Sequence, residues 1–176
     1  MTAMWLACLV FLVWTTEIDA LAVPSQTRAV SPLTVGTQDL DWKSIGFEFR
    51  STRSFMHYKY RDGQWDSGTE MDGAEPYIPV HIGATALHYG QSLFEGLKAF
   101  ACEDGQVRLF RPYENAKRMR RGAERTLMVP PPEDLFVDAC KQAVKANLDY
   151  VPPYNNHQRL FFIFFSFGEV ASLSLV

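Results

Sequence analysis

The sequence predicts an α+β domain on three observations: alternating strand patterns open its centre, two helical patterns punctuated by prolines follow, and an apolar strand comes last. From Ser44 to Tyr60, Ile45, Phe47 and Phe49 and then Met56, Tyr58 and Tyr60 alternate with polar, charged or small residues, the period of half-buried strands. Two strands joined through residues 50–54 are expected. Asp62-Gly63 then stands before Gln64-Trp65-Asp66, and Asp-Gly is a strong turn signal between strands. Pro76 and Pro79 mark a loop, because proline fits neither a central strand nor a helix interior.

Leu87-His88-Tyr89-Gly90 reads as a short turn or helix leading into a strand through Gln91-Ser92-Leu93-Phe94-Glu95-Gly96-Leu97-Lys98-Ala99-Phe100. Gly105 turns the chain, and Gln106-Val107-Arg108-Leu109-Phe110 is the partner strand of a hairpin. A helix is expected from Pro112, since proline suits the first turn and Ala116, Met119 and Ala123 fall at i, i+3 and i+7. Pro130-Pro131-Pro132 stops it. Glu133 to Asn147 gives a second helix whose apolar side is Leu135, Val137, Ala139, Ala143 and Val144, with Pro152-Pro153 beyond its end.

Both ends differ from the middle. Met4 to Trp14 is an uncharged apolar run, short of the roughly 17–25 residues that span a bilayer as a helix, so no stable membrane anchor is expected. Its length suits a signal peptide, and Ala20-Leu21-Ala22 offers a small-x-small cleavage pattern, although the first basic residue is Arg28. Residues 1–22 are therefore assigned to a signal-like segment and 23–40 to a transit-like or linker segment rich in Ser and Thr. That order is the bipartite signal of complex plastids; secretion and mitochondrial import are the alternatives, and Glu17 and Asp19 count against the mitochondrial one. The folded part is placed at 41–160. At the other end, Leu160 to Val176 carries one charge, Glu169, and Phe161-Phe162-Ile163-Phe164-Phe165 has the composition of a fully buried strand. With nothing downstream to cover it, residues 161–176 are expected to be an aggregation-prone apolar tail.

The 176 residues carry 17 Lys and Arg against 20 Asp and Glu, a net charge of −3, which gives no overall attraction to nucleic acid. Cys8, Cys102 and Cys140 are odd in number and widely spaced, so neither a disulfide framework nor a Cys-x-x-Cys zinc site is expected. His57 and His88 lack partners at ligand spacing and are assigned no metal. Neither a nucleophile elbow nor a P-loop, a dinucleotide glycine signature or a zinc-protease helix occurs.

Two places could carry chemistry. On the helix from Pro112, Arg118, Arg121 and Arg125 lie at i, i+3 and i+7 and share a face. Such a face is either solvated or has one arginine turned inward to grip phosphate or carboxylate with its planar fork, and composition does not say which arginine. Tyr89 beside Gly90 either packs as a core tyrosine or brings a phenol to a cleft.

The words Leu87-His88-Tyr89-Gly90-Gln91-Ser92-Leu93-Phe94-Glu95-Gly96-Leu97-Lys98-Ala99-Phe100 and Arg108-Leu109-Phe110-Arg111-Pro112-Tyr113-Glu114-Asn115-Ala116-Lys117-Arg118-Met119 resemble the branched-chain amino-acid aminotransferases, pyridoxal-phosphate enzymes of the class IV aminotransferase fold. The resemblance extends more loosely from Ile45-Gly46-Phe47 to Val151-Pro152-Pro153-Tyr154. D-amino-acid aminotransferases and aminodeoxychorismate lyases share a shorter form of these words.

The resemblance implies the small amino-terminal domain of that fold, with the large domain absent. It implies that Arg118 is the ligand of the pyridoxal 5'-phosphate phosphate group, that Tyr89 lines the substrate side and that Phe47 belongs to the apolar side-chain pocket. It implies a homodimer for the intact protein, with a small amino acid (Leu, Ile or Val) and a 2-oxo acid as substrates. Phe161 and Ile163 stand where the family has a tyrosine and an arginine, and the family's Schiff-base lysine lies downstream of Lys145, the last lysine here. No catalytic residue is therefore assigned within these residues, and a truncated, inactive piece is expected. Another class IV aminotransferase and a non-catalytic binding module are the alternatives.

Overall fold

The computed structural model describes residues 34–42, 45, 49–154, 160–167 and 172–175. The signal-like segment and Phe47 lie outside the described residues. Strand β1 (Ser54–Arg61) is followed by β2 (Gln64–Trp65), β3 (Thr69–Asp72), a one-turn helix α1 (Thr85–Tyr89), β4 (Ser92–Ala101) and β5 (Val107–Leu109). Helices α2 (Pro112–Arg125) and α3 (Glu133–Ala146), a 3₁₀ turn (Leu148–Tyr150), and strands β6 (Leu160–Phe167) and β7 (Ser172–Leu175) complete the α+β order that the patterns predict.

The Asp62-Gly63 signal does what its chemistry requires. Asp62 and Gly63 both have positive φ, 53° and 84°, which matches the right-handed twist of the flanking strands. Tyr60 therefore pairs with Trp65 and Arg61 with Gln64, and the Tyr60 and Trp65 rings sit 5.6 Å apart. Gly68, at φ +80°, lets the backbone run against the Tyr58 ring: a Cβ there would lie 2.4 Å from Tyr58 Cε1. The expected strand around Ile45 to Phe49 is not formed at its described ends, since Ile45, Phe49 and Arg50 are irregular and the first strand begins at Ser54. Burial of β1 also departs from alternation. Every residue from Ser54 to Tyr58 is buried, so both faces of the strand are covered there, while β3 lines Ser54 to His57 and β7 lines Met56 to Lys59 on its edges.

The strands join in the order β2-β1-β7-β6-β4-β5, with β3 also on β1. β4 pairs antiparallel with β6 from Ser92 opposite Phe167 to Ala99 opposite Leu160. β7 lies between β1 and β6, with Met56 opposite Leu175 on one side and Phe164 opposite Leu175 on the other. The apolar terminal run is thus not an unpaired end. One edge of β6 is paired with β4 along its whole length and the other with β7 over Phe164 to Ser166, so the open edge expected of a terminal strand is closed over that part.

Both helices pack on the sheet. α2 begins with Pro112 in its first turn, and the expected Ala116, Met119 and Ala123 are its buried residues. It stops at Arg125, five residues before Pro130, where Thr126 Oγ1 donates to the Gly122 carbonyl at 3.0 Å and Leu127 turns left-handed at φ 58°. In α3, Glu133 and Asp134 face the positive end of the helix dipole. Its buried side comprises Phe136, Val137, Ala139, Cys140, Ala143 and Val144, so Phe136 takes the deep position that the spacing assigned to the half-buried Leu135. Met56, Tyr58, Leu97 and Ala99 meet these residues to form the core. Burial pushes the Cys140 thiol far up, so it is a packed apolar group. Among the described residues, no helix is long and apolar enough to cross a membrane.

Buried polar side chains stitch the end of α3 to the sheet and to the residues before it. Asn147 Nδ2 donates to the Ser54 carbonyl at 2.9 Å and to the Ala143 carbonyl at 2.9 Å, while its Oδ1 accepts the Ser54 amide at 3.1 Å. Asp149 Oδ2 accepts Arg53 Nη2 at 2.5 Å and Gln38 Nε2 at 2.6 Å. Gln38 falls in the stretch expected to be a linker, yet it is tied to the folded body at Asp149.

Two expectations follow. Asn147→Ala takes the side-chain partner from the buried Ser54 amide, while the Ser54 carbonyl keeps Thr52 Oγ1 at 3.1 Å, so urea unfolding should show a loss of about 1–3 kcal/mol; a change within 0.5 kcal/mol would mean water replaces the side chain. His57 is buried in β1, and burial first, then repulsion from Lys59, lowers its pKa from 6.5 against the pull of Asp66. A lowered folded-state pKa makes the neutral form the stable one, so stability present above pH 6.5 is lost as the pH falls. The urea midpoint should therefore drop between about pH 7 and pH 5, and the drop should shrink in His57→Gln.

Candidate functional site

The site is built where β4 meets α2. Along β4, Glu95, Leu97 and Ala99 alternate inward and are all buried, so a carboxylate stands in line with two apolar core residues. A buried charge persists only when paired and fully hydrogen-bonded. Glu95, 4% exposed, meets that condition through four N–H donors from three residues. Its Oε1 accepts the Gly96 amide at 2.8 Å, Asn115 Nδ2 at 3.0 Å and Arg118 Nη2, and its Oε2 accepts Arg118 Nε at 2.7 Å. Asn115 Nδ2 also reaches the Gly96 carbonyl at 2.8 Å. Asn115 and Arg118 are at i and i+3 on α2, which puts both over the same stretch of strand.

Arg118 is thereby singled out from its neighbours. Arg120 pairs with Glu124 at 3.1 Å and Glu133 at 3.4 Å on the surface, and Arg121 and Arg125 are exposed. Arg118 alone of these spends two N–H groups on a buried acid while its side chain remains 61% exposed. The hydrogen bond to Glu95 raises its pKa further, so it is a cation at any working pH.

The chain before β4 is anchored to the far end of the same helix. Gly90, at φ 65°, ends α1 with its amide on the Thr85 carbonyl, and Gln91 Nε2 then donates to the Thr126 carbonyl at 2.7 Å. Leu93 packs against Gly122, where a Cβ would come within 3.0 Å of it. Tyr89 sits just before this turn. It is 85% exposed, neither a core tyrosine nor a member of the hydrogen-bonded cluster around Glu95. Tyr77, Ile82, Leu87 and Phe94, in the same stretch of sequence, are likewise exposed.

Comparison with known proteins fixes the ancestry. The chain is 48% identical over 126 residues to the branched-chain-amino-acid aminotransferase of Haemophilus influenzae, covering 70% of this chain and 36% of that protein. This chain is homologous to one part of the branched-chain amino-acid aminotransferases. It is also 47% identical over 120 residues to branched-chain amino acid aminotransferase 2, chloroplastic, of Humulus lupulus, covering 68% of this chain and 29% of that protein. Among solved structures, the branched-chain amino acid aminotransferase from Escherichia coli superposes with a TM-score of 0.52 at 20% identity over 71% of this chain and 40% of that one, which shows a shared fold. No family model matches the chain. The chain spans about a third of the length of the curated relatives it matches.

Within that homologous part, sequence reasoning named Arg118 and Tyr89 and missed Glu95 and Asn115. The signal for Glu95 was available: a lone acid at an inward position of an apolar alternation demands a cation.

Proposed function

We propose that the protein containing these residues is a branched-chain amino-acid transaminase that moves the amino group of Leu, Ile or Val to 2-oxoglutarate through pyridoxal 5'-phosphate. The observation that carries this reading is the identity of 48% over 126 residues with an enzyme of that name, across the stretch that contains Arg118. Arg118 suits the phosphate of that cofactor, being a permanent cation with an exposed fork held in place by a buried acid. Tyr89, with the exposed apolar side chains in the same stretch of sequence, would line the substrate side, and Phe47 would contribute to the apolar pocket; burial against such a wall favours aliphatic side chains over polar ones.

When bound, the cofactor supplies the electron sink for carbanion chemistry at Cα. The residues here hold and orient rather than transfer protons. Lys117 and Lys141 are engaged with Glu114 at 3.1 Å and Asp138 at 3.0 Å, and Lys145 lies in the last turn of α3. None stands at the Schiff-base position implied by the resemblance, so residues 1–176 alone are proposed to be inactive, and the intact protein to act as a homodimer. Glutamate formation from leucine and 2-oxoglutarate should accordingly be absent with the 176-residue chain and present with the protein encoded by the full-length transcript. Cofactor-dependent turnover by the short chain would overturn the assignment of roles, and a preference of the long protein for D-alanine would move the reading to the D-amino-acid type.

Plastid delivery through residues 1–40 is the proposed location, supported by the Ser and Thr content of 23–38 and by relatives whose names carry the word chloroplastic. Residues 1–40 fused to a fluorescent protein should label the plastid; a diffuse cytosolic signal would sink the proposal.

A further inference from the structure

We propose that Glu95, braced by Asn115 and the Gly96 amide, is a positioning residue that fixes the Arg118 guanidinium with one edge turned outward for phosphate. The inference rests on the reading of Arg118 as the cofactor-phosphate ligand and adds to it the device that aims the ligand.

A guanidinium carries five N–H groups in one plane and offers more than one edge for bidentate bonding. In this chain the edge formed by Nε and Nη2 is closed on Glu95, with Nε 2.7 Å from Oε2 and Nη2 on Oε1. Both N–H groups of Nη1 and the second one of Nη2 point away from that carboxylate, and the 61% exposure of the side chain leaves them open to an incoming anion. A doubly charged phosphate oxygen group can therefore meet the end of the fork without displacing Glu95.

The carboxylate itself cannot swing. It is rooted in the middle of β4, where β6 pairs along the strand with Phe164 opposite Glu95, is 4% exposed, and its Oε1 takes the Gly96 amide and Asn115 Nδ2 as well as Arg118. Asn115 in turn grips the Gly96 carbonyl, so helix and strand are clamped at this point. A free surface arginine must surrender the motion of a long side chain each time it binds, whereas Arg118 has surrendered it on folding.

Glu95 also works against phosphate by cancelling part of the guanidinium charge. Two opposed effects thus act through one residue, and an isosteric neutral variant separates them. If positioning dominates, Glu95→Gln weakens phosphate binding although it removes a negative charge; if charge cancellation dominates, the same change strengthens it.

The test is a titration of the 176-residue chain with inorganic phosphate, with binding read from backbone amide shifts in every variant and, where Arg118 is present, from its Nε–H resonance in a ¹⁵N-labelled sample, with chloride at matched ionic strength as control. The unliganded chain should show a sharp Nε–H signal protected from solvent exchange, and phosphate should shift it saturably. Glu95→Gln should weaken phosphate binding roughly tenfold and lose the exchange protection. Asn115→Ala, which leaves every charge in place, should move both readouts in the same direction by less. Circular dichroism identifies any variant that fails to fold, and Asn115→Ala keeps the test decisive if Glu95→Gln is one of them. Binding lost in Arg118→Ala but unchanged or tighter in both Glu95→Gln and Asn115→Ala would overturn the positioning role and leave the phosphate role standing. Phosphate binding that survives Arg118→Ala would overturn the phosphate role and the positioning role together.

Discussion

A carboxylate set among core side chains has to be neutralised where it stands, and Glu95 imposes that requirement on everything that touches β4. The nearest source of cations and amides is α2, and the helix can satisfy the acid in one rotation only, the one that brings Asn115 and Arg118 over the strand. In that rotation Ala116, Met119 and Ala123 fall on the apolar side chains of the sheet and of α3. Polar and apolar demands agree, so the helix has one seat. The site and the core are consequently one construction: the contact that presents Arg118 to solvent is also the contact that sets the helical layer.

The helices in turn determine how irregular segments travel. Because α2 ends at Arg125, Thr126 Oγ1 turns back onto the Gly122 carbonyl and the Thr126 carbonyl accepts Gln91 Nε2, and the second of these bonds holds the approach to β4 in place. Asn147 and Asp149 play the corresponding role after α3, one gripping the start of β1 and the other collecting Arg53 and Gln38. Side-chain amides and carboxylates thus take over at each point where the regular backbone ladders stop.

The parts of the fold that local chemistry dictates were legible in the sequence. Asp62-Gly63, Gly105 and Pro112 each force a backbone conformation by themselves, and the hairpins and the start of α2 lie where those residues put them. Positions governed by distant partners were not legible. Phe136 is deeper than Leu135 because of where α3 lies against the sheet, and residues 54–58 are buried on both faces of β1, with α3 packed on the strand and β7, from far along the chain, on its edge. The terminal apolar run was read correctly as strand, but its neighbours on either edge depend on register that no local pattern encodes. For the site, the arginine face was visible and its chosen member was supplied by the resemblance. Tyr89 is not the packed core tyrosine that one of the two local readings expected, since it is 85% exposed.

The place of β7 has a consequence for the order of assembly. β1 and β6 are never joined directly among the described strands; each pairs with β7, which follows both in the chain. As the chain emerges, the hairpin of β1 and β2 and the pair of β4 and β5 form from neighbours, but the two halves of the sheet have no backbone bridge until Ser172–Leu175 threads between them. Sheet closure is therefore a long-range event in folding, and until it occurs the inner edge of β1 is an open template for other nascent chains.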